Sequence, residues 1–403
     1  MKILIVHQDA LPPSAAGGTR HFTLARWLGR RGHDVSILAS RHNYNGVGLL
    51  SENDEDIING VHFIWLDEGA RGNSMAERGT EMIKFAFAAS KKVKQLSREG
   101  ATWDVVIGSS PQPFAAWSAG RIARRLKLPF VVEIRDLWPL SLRDLAGWGP
   151  LHPGWILLRV LEKHLYRKAD HIITLLPGSQ KWMIASGAKA ENISVVPNGI
   201  DKAAAPDTIS MPNRDTFTCV YAGAHGIANG LSTVVRAAAL LPKLPGGDKV
   251  KVRLIGDGET KTDLIELANT LHAPTLEFRN SVPKSQVQHE LSQADACILH
   301  LQRMPTFAYG VSPNKLFDYL LAARPILYAV ESANDPVSAA QAGITLPSEN
   351  PEALAKAMIA LAQTPHAERQ EMGKRGHAYV LENHEWETLA IRVEGILTSL
   401  IRP

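Results

Sequence analysis

The alternation of strand and helix signals, which runs along the chain twice, is the feature that most constrains its fold. The pattern starts with the apolar run "KILIVHQ", a Gly/Pro-rich loop and the helical pattern "RHFTLARWLGRRG". It restarts beyond residue 200 with "FTCVYAGA", a Gly-rich turn and "LSTVVRAAALL". Strands that alternate with helices predict a parallel sheet with helices on both faces. The sequence therefore predicts two α/β domains, and 403 residues are too many for one ordinary core.

The domain boundary is predicted near the segment "VVPNGID". We expect a first doubly wound domain over residues 1–198 and a second over residues 199–383. The C-terminal segment 384–403 is amphipathic and no strand follows it. It is therefore predicted to be a helix that packs back on the first domain.

Composition is that of a soluble globular protein, with 45% hydrophobic and 21% charged residues. No apolar run reaches the roughly 18 residues that a membrane-spanning helix needs, and the N-terminus lacks the pattern of a signal peptide. Cys219 and Cys297 both lie in strand-like segments, which favours buried thiols in a reducing compartment. These features predict a cytoplasmic protein.

Charge is distributed unevenly between the two halves. Residues 1–200 carry 25 Lys and Arg against 18 Asp and Glu, whereas residues 201–403 carry 19 against 22. The first half also contains "MIKFAFAASKKVKQLSR" and "GWILLRVLEKHLYRK", where basic residues stand beside apolar ones. Such helices can lie on an anionic membrane surface. The alternative, a helix whose apolar face only packs on the sheet, stays open.

The segment "VSPNKLFD" contains the clearest candidate ligand site. Ligands bind beyond the carboxyl ends of strands in open parallel sheets, and a helix N-terminus attracts anions. We expect Ser312 to be the N-cap and Pro313 the first helical residue, with Lys315 adding a full positive charge. Asp318, one turn later, is either a dipole partner or an acceptor for ribose hydroxyls. Phosphates and a ribose one turn apart match a bound nucleotide.

The order of several segments resembles the GT-B fold glycosyltransferases of family 4, over nearly the whole chain. These segments are the Gly-Gly loop after the first strand, "RGHDVSIL", "VVPNGID", "YAGAHGIANGLSTVVRAA", "LIGDG" and "SPNKLFDYLLAARPI". The resemblance implies two Rossmann-like domains that face each other across a cleft. It also implies a retaining transferase that uses a nucleotide diphosphate sugar, with UDP favoured, and a glycan or polyprenyl-diphosphate-linked acceptor. With "EIRDLWP", the likeness is greatest to a bacterial surface-polysaccharide and lipopolysaccharide branch that includes N-acetylated amino-sugar transferases.

The resemblance and the loop positions together give a set of donor-binding residues. These are Gly17, Gly18, Gly223, His225, Gly226, Asn229, Val282, Arg303, Gly310, Val311, Ser312, Pro313, Asn314, Lys315 and Asp318. Much of the family has two glutamates where this chain has Gly310 and Asp318, so only the ribose role carries over. The family's Arg and Lys in the first loop of the second domain fall on Ala224 and Asn229. We therefore expect Lys315 and Arg303 to meet the diphosphate charge.

The first domain supplies the candidate catalytic residues, in "VVEIRDLWP". Where many relatives carry a His-Asp pair, this chain has Arg135 and Asp136. With Glu133 they are expected to orient the acceptor hydroxyl or the transferred sugar. The alternative is that Arg135 and Asp136 form an ion pair that only holds the loop.

Helix N-termini, Lys315 and Arg303 are expected to stabilise the charge of the leaving diphosphate without a metal. We predict neither a metal nor a cofactor. Three alternatives stay open: a GT-B-fold nucleotide-sugar 2-epimerase, a non-catalytic sugar-nucleotide-binding protein and a dinucleotide oxidoreductase. The last is disfavoured because "GDGETK" lacks the third glycine of a G-x-G-x-x-G motif.

Overall fold

A computed structural model describes residues 1–15, 17–43, 48–69, 72, 74–205 and 211–401. The chain forms two compact units. Unit 1 is Met1–Asn198 together with the segment that starts at Trp386, and unit 2 is Gly199–Glu385.

Unit 1 is built on an eight-stranded sheet in the order β3-β4-β2-β1-β5-β6-β7-β8. Its strands are β1 (Lys2–Val6), β2 (Asp34–Ser40), β3 (Glu55–Ile58), β4 (Val61–Leu66), β5 (Val105–Ser109), β6 (Phe130–Ile134), β7 (His171–Thr174) and β8 (Ile193–Val195). Its helices are α1 (Arg20–Arg30), α2 (Met75–Arg98), α3 (Pro113–Leu126), α4 (Leu140–Ala146), α5 (Pro153–Lys168) and α6 (Gln180–Ala185). All strand pairs are parallel except β3 with β4.

The antiparallel pair β3–β4 was not predicted. Asn59 and Gly60 connect the two strands, with φ angles of 50° and 81°. Positive φ at both central residues is the geometry of a two-residue hairpin turn, which Asn-Gly favours. A hairpin therefore closes one edge of a sheet that is otherwise parallel.

Unit 2 is built on a six-stranded sheet in the order β11-β10-β9-β12-β13-β14. Its strands are β9 (Phe217–Ala222), β10 (Val250–Ile255), β11 (Leu276–Arg279), β12 (Ala296–His300), β13 (Ile326–Ala329) and β14 (Gly343–Leu346). Its helices are α7 (Ser232–Leu240), α8 (Lys261–Leu271), α9 (Lys284–Ser292), α10 (Asn314–Leu321), α11 (Pro336–Ala339), α12 (Pro351–Gln363) and α13 (His366–His384). Every strand pair is parallel. This is the strand order of a Rossmann fold, 3-2-1-4-5-6.

The last helix, α14 (Trp386–Ile401), belongs to unit 1. Leu389, Val393 and Leu397 are fully buried in the same core as Ile3 and Phe22. Two polar contacts fix its outer face, since Glu394 accepts from Arg31 Nε (2.6 Å) and lies 2.8 Å from His33 Nε2. The chain thus returns to its first core after completing the second.

No helix in the described part of the chain combines the length and apolar character needed to cross a bilayer.

Candidate active site

Most of the predicted donor-binding residues lie at the carboxyl edge of the unit 2 sheet. The strand order reverses between β9 and β12, and ligands of open α/β sheets bind at such a switch point. The loop after β9 contains Gly223, His225, Gly226 and Asn229. Across the switch point, the chain after β12 leads to α10.

The loop after β9 is held against the loop after β10 by close backbone contact. His225 N donates to Asp257 O (2.7 Å). A Cβ atom on Gly256 would lie 1.9 Å from Gly223 O, and one on Gly258 would lie 2.6 Å from His225 O. Only glycine permits this approach, so "LIGDG" fixes the backbone of the candidate donor loop.

Lys315 places its ammonium group beneath this loop. Its Nζ donates to Tyr221 Oη (2.8 Å) and to Asn229 Oδ1, and it lies 4.7 Å from the centre of the Tyr221 ring. Its side chain also lies against Gly223. Burial lowers the pKa of Lys315 to about 7. Both hydrogen-bond acceptors are neutral, so the charge of Lys315 is available to an anionic ligand.

Helix α10 starts one residue later than predicted. Pro313 occupies the N-cap position with an extended backbone (φ −73°, ψ 128°), and Asn314 is the first helical residue. Ser312 is therefore not the N-cap. Asn334 holds the preceding loop, because its side chain accepts from Val311 N (2.8 Å) and donates to Val311 O (2.9 Å). The two residues Asn314 and Lys315 thus stand in the first turn, where N–H groups lack intrahelical partners.

Gly310 explains one departure from the family pattern. It ends a short 3-10 turn, Pro305–Tyr309, with φ of 112° and ψ of 159°. Side chains other than hydrogen are strained in this region of φ. A glutamate at this position would therefore strain the backbone of the loop.

His225 is fully buried within the donor loop. Neither ring nitrogen has a hydrogen-bond partner in the described part of the chain. Burial first, and then the charge of Lys261, lowers the pKa of His225 to about 4. A neutral imidazole in this loop retains one donor and one acceptor for a ligand.

Asp318 has a partner that the sequence did not indicate. Lys284, the first residue of α9, donates to both carboxylate oxygens at 2.6 Å. Burial raises the pKa of Asp318, and the charge of Lys284 opposes that shift. Val282, two residues before Lys284, packs against the core beneath α10. A ribose at Asp318 would have to replace or share the Lys284 contact.

Arg303 differs from the expectation. Its side chain is 60% exposed and pairs with Glu331 (2.7 Å), so its charge is already met at the surface. Among the cations expected for a diphosphate, Lys315 is the one held at the switch point.

Glu133 in unit 1 also differs from the expectation. It is buried, and both carboxylate oxygens are engaged. Oε1 accepts from Arg20 Nε (2.9 Å), while Oε2 accepts from Ser109 Oγ (2.6 Å) and lies 2.7 Å from His21 Nε2. Burial alone would raise the pKa of Glu133, but the charge of Arg20 holds it well below its usual range. Glu133 therefore holds the start of α1 through Arg20 and His21, and its role toward the acceptor substrate stays a prediction.

Arg135 bonds to a histidine rather than to its neighbour Asp136. Its Nη1 lies 3.0 Å from His7 Nε2, and its backbone N donates to Ser110 Oγ (2.8 Å). Burial lowers the pKa of His7 well below its usual value, so neutral His7 can accept this bond at Nε2. The ion-pair alternative for Arg135 and Asp136 is not what the structure contains.

Asp136 lies just beyond the carboxyl end of β6 and is partly buried. It lines a small pocket with Trp138 and Tyr166. Burial raises the pKa of Asp136 to about 6, against the opposing charge of Arg135. A carboxylate of this kind exchanges its proton near neutral pH.

The structure adds residues that the sequence analysis missed. Tyr221 holds Lys315, and Lys284 holds Asp318. His300 bridges two loops, because its Nδ1 contacts Asn229 O (2.8 Å) and its Nε2 accepts from Glu349 N (3.1 Å). Predicted residues Gly17 and Gly18 lie in the loop between β1 and α1 of unit 1. Among the described residues, no group of three or more His, Cys, Asp and Glu is placed to hold a metal ion.

Two protein-family models match the chain. The glycosyl transferase 4-like domain matches residues 17–199, and the glycosyl transferases group 1 model matches residues 216–364. No curated protein matches the chain.

Solved structures match over almost the full length. A sucrose-phosphate synthase from Thermosynechococcus elongatus is 16% identical, with a TM-score of 0.77, over 99% of this chain and 98% of that chain. Anabaena HepE in complex with UDP-glucose is 13% identical, with a TM-score of 0.66, over 99% of this chain and 100% of that chain. A glycosyltransferase from Rickettsia africae is 13% identical, with a TM-score of 0.69, over 100% of this chain and 98% of that chain. At these identities the likeness establishes the GT-B fold, and the family models establish the class of enzyme. The chain is a GT-B glycosyltransferase with a glycosyl transferase 4-like first domain and a glycosyl transferases group 1 second domain.

Proposed function

We propose that this glycosyltransferase moves a sugar from a nucleoside diphosphate donor, UDP-linked, to a hydroxyl of a glycan or lipid-linked acceptor, with the anomeric configuration retained. The observation that carries the proposal is the environment of Lys315. A partly buried ammonium group with only neutral acceptors, at the first turn of α10 and beside a glycine-rich loop, suits a diphosphate.

Lys315 then has a direct role in the reaction. The bond that breaks joins the anomeric carbon to the terminal phosphate oxygen, and negative charge grows on that phosphate. Lys315 and the free N–H groups of α10 stabilise this charge, since they are already in place before the bond breaks. We propose that transfer needs no added divalent cation.

The donor base and sugar are inferred from relatives. HepE, which shares the fold, was solved with UDP-glucose, and this supports a UDP-sugar. The resemblance to the surface-polysaccharide branch supports an N-acetylated amino sugar and a role in bacterial surface polysaccharide or lipopolysaccharide synthesis. Asp318 is proposed to accept from the ribose hydroxyls once Lys284 moves aside.

In unit 1, Asp136 is proposed to orient the acceptor hydroxyl. Its pKa of about 6 leaves it mostly ionised at neutral pH, ready to accept a hydrogen bond from the hydroxyl. Arg135 positions the loop through His7, and Glu133 positions α1 through Arg20. We place the enzyme in the cytoplasm, in contact with the inner face of the membrane through unit 1.

The test is a direct assay. The full chain is incubated with UDP-linked N-acetylated amino sugars and a polyprenyl-diphosphate-linked acceptor, with and without EDTA. We expect free UDP and a glycosylated lipid in equal amounts, an unchanged anomeric configuration by NMR, and equal rates in EDTA. Conversion of the donor into its C2 epimer without UDP release would instead establish the 2-epimerase alternative. The family models and the similarity to a sucrose-phosphate synthase favour the transferase.

A further inference from the structure

An apolar groove of about 400 Å³ lies between α2, α3 and α5 of unit 1. Its lining includes Phe114 and Trp117 of α3. Phe87 of α2 and Leu157 and Val160 of α5 stand at its mouth, with 59%, 57% and 62% of their surface exposed. Large apolar side chains clustered at an open groove indicate a binding surface.

A second, basic pocket of about 170 Å³ adjoins this groove. The two share Trp117 and His164, and the second is also lined by Arg121, Arg124 and Lys168. The guanidinium of Arg121 lies 4.8 Å from the centre of the Trp117 ring, so a cation stands directly at the junction.

The charge around the basic pocket is strongly one-sided. Helix α3 contains three arginines and no Asp or Glu. Asp170 lines the pocket as well, but its carboxylate accepts from Phe130 N (2.8 Å). Burial, and then the charges of Lys168 and Arg124, lower the pKa of His164, in keeping with cations that crowd this site.

A groove for hydrocarbon that continues into a pocket for an anion matches one kind of ligand, an anionic amphiphile. We propose that the groove and the basic pocket together bind one anionic phospholipid of a bilayer. An acyl chain fills the groove, and the headgroup phosphate contacts Arg121, Arg124 and Lys168. This lipid site specifies the membrane contact included in the proposed function, and it does not depend on transfer chemistry.

Soluble short-chain lipids test for a discrete site. Dioctanoyl-phosphatidylglycerol is titrated into the full chain below its micelle concentration, beside dioctanoyl-phosphatidylcholine and glycerol 3-phosphate. We expect one phosphatidylglycerol per chain, at least about tenfold weaker binding of the neutral lipid, and loss of affinity in high salt because the headgroup contact is ionic. Absence of saturable phosphatidylglycerol binding, or equal binding of all three ligands, would overturn the proposal.

Matched variants locate the site. Val160→Asp tests the groove against Ile57→Asp, which changes an exposed residue of the edge strand β3 that does not line the groove. Arg124→Glu with Lys168→Glu tests the basic pocket against Lys189→Glu with Lys243→Glu, an equal change of charge. We expect the site variants to lose at least about tenfold in lipid affinity and in sedimentation with phosphatidylglycerol vesicles, and the controls to lose less than about twofold.

Thermal unfolding and UDP binding are measured on every variant, since the changes are at exposed positions and should leave both intact. Equal lipid losses in site and control variants would contradict the lipid site. A wild-type chain that binds lipid but no UDP would refute the proposed function and leave the lipid site standing. A wild-type chain that binds UDP but no lipid would refute the lipid site and leave the proposed transfer reaction standing.

Discussion

Lys315 combines a cost in stability with a role in binding. A lysine whose pKa falls from 10.5 to about 7 is destabilised as an ammonium group by its surroundings. Tyr221 and Asn229 offset part of this cost through hydrogen bonds. The remaining cost is one that a bound diphosphate would remove.

Replacing Lys315 by methionine should separate the two effects. We expect Lys315→Met to raise the Kd for UDP by at least about tenfold and that for uridine by less than about twofold, because only UDP carries phosphates. Calorimetry with both ligands measures this, and Lys243→Met is the control at an exposed position. Equal losses for UDP and uridine would remove Lys315 from the phosphate site.

The same variant should be more stable than the wild type when no ligand is bound. Between pH 7 and 10.5 the unfolded chain holds more protons at this lysine than the folded chain. The free energy of unfolding of the wild type therefore increases as pH rises. The advantage of Lys315→Met is therefore expected to be greatest below pH 7 and to disappear near pH 10.5. Urea unfolding at pH 6.5 and pH 9 provides the comparison.

Asp136, an acidic residue, gives a prediction about the pH dependence of the reaction. We expect kcat/KM to fall below pH 6 as Asp136 takes up its proton. Asp136→Asn should lower kcat by about 10²-fold with less than a twofold change in UDP affinity. It should not lower the Tm at neutral pH, since a raised carboxyl pKa means that ionisation costs stability above pH 6. Asp34→Asn, at an exposed position, is the control; a drop in Tm with kcat unchanged would indicate a structural role.

At the residue scale, the sequence indicated candidate site residues but not the residues that they contact. Lys315 and Asp318 follow from their place at the start of a helix. Tyr221, 94 residues before Lys315, has no local pattern that links it to the site, because the tertiary fold alone brings the two together. Arg303 was placed by sequence proximity, and its surface partner Glu331 stands 28 residues away.

At the level of elements, the contact between α9 and α10 is a candidate gate for the ribose. Lys284 is 72% exposed while the Asp318 side chain is 16% exposed, so the lysine covers the carboxylate from the solvent side. A nucleotide would have to displace it.

We expect Lys284→Gln to tighten uridine and UDP binding by roughly 1.4-fold to fivefold, because an exposed ion pair is worth about 0.2–1 kcal/mol. Asp318→Asn should weaken both ligands, since it removes a charged acceptor. Calorimetry again provides the measurement, with Lys202→Gln as a surface control. If both variants bind uridine and UDP with unchanged affinity, Asp318 serves only the contact between α9 and α10.

Strands and helices were predicted well because their apolar periodicity is local. The exception is β3, whose four residues alternate between exposed and partly buried positions and carry little apolar signal. Asn59-Gly60, ahead of "VHFIWL", was the available clue. The N-cap of α10 was misplaced by one residue, since Pro313 suits both the cap and the first helical position.

On the scale of the molecule, each unit has its own core, and α14 ties the end of the chain to unit 1. Leu389 is fully buried there. Leu389→Ala should cost about 2–5 kcal/mol of stability. UDP at about 100 times its Kd should add roughly 2.7 kcal/mol to the unit that binds it.

Scanning calorimetry would resolve these effects if the units unfold separately. We expect Leu389→Ala to lower one transition and UDP to raise mainly the other. Ile391→Ala, which changes an exposed position of the same helix, should leave both transitions near the wild type. A single transition that shifts with both changes would mean that the units unfold together.

The lowered pKa of the partly buried Lys315 also makes donor binding a proton-uptake reaction. At pH 7 about half of the ligand-free chains have a neutral Lys315, whereas a neighbouring diphosphate would keep Lys315 protonated. UDP binding is then expected to draw about half a proton from solution at pH 7 and nearly a full proton at pH 8.5, with affinity falling as pH rises further. Calorimetry in buffers of different ionisation enthalpy measures this uptake. Phosphate and other anions in solution would compete with the donor for the charge of Lys315. Donor binding is therefore expected to depend on the pH and on the anion concentration around the enzyme.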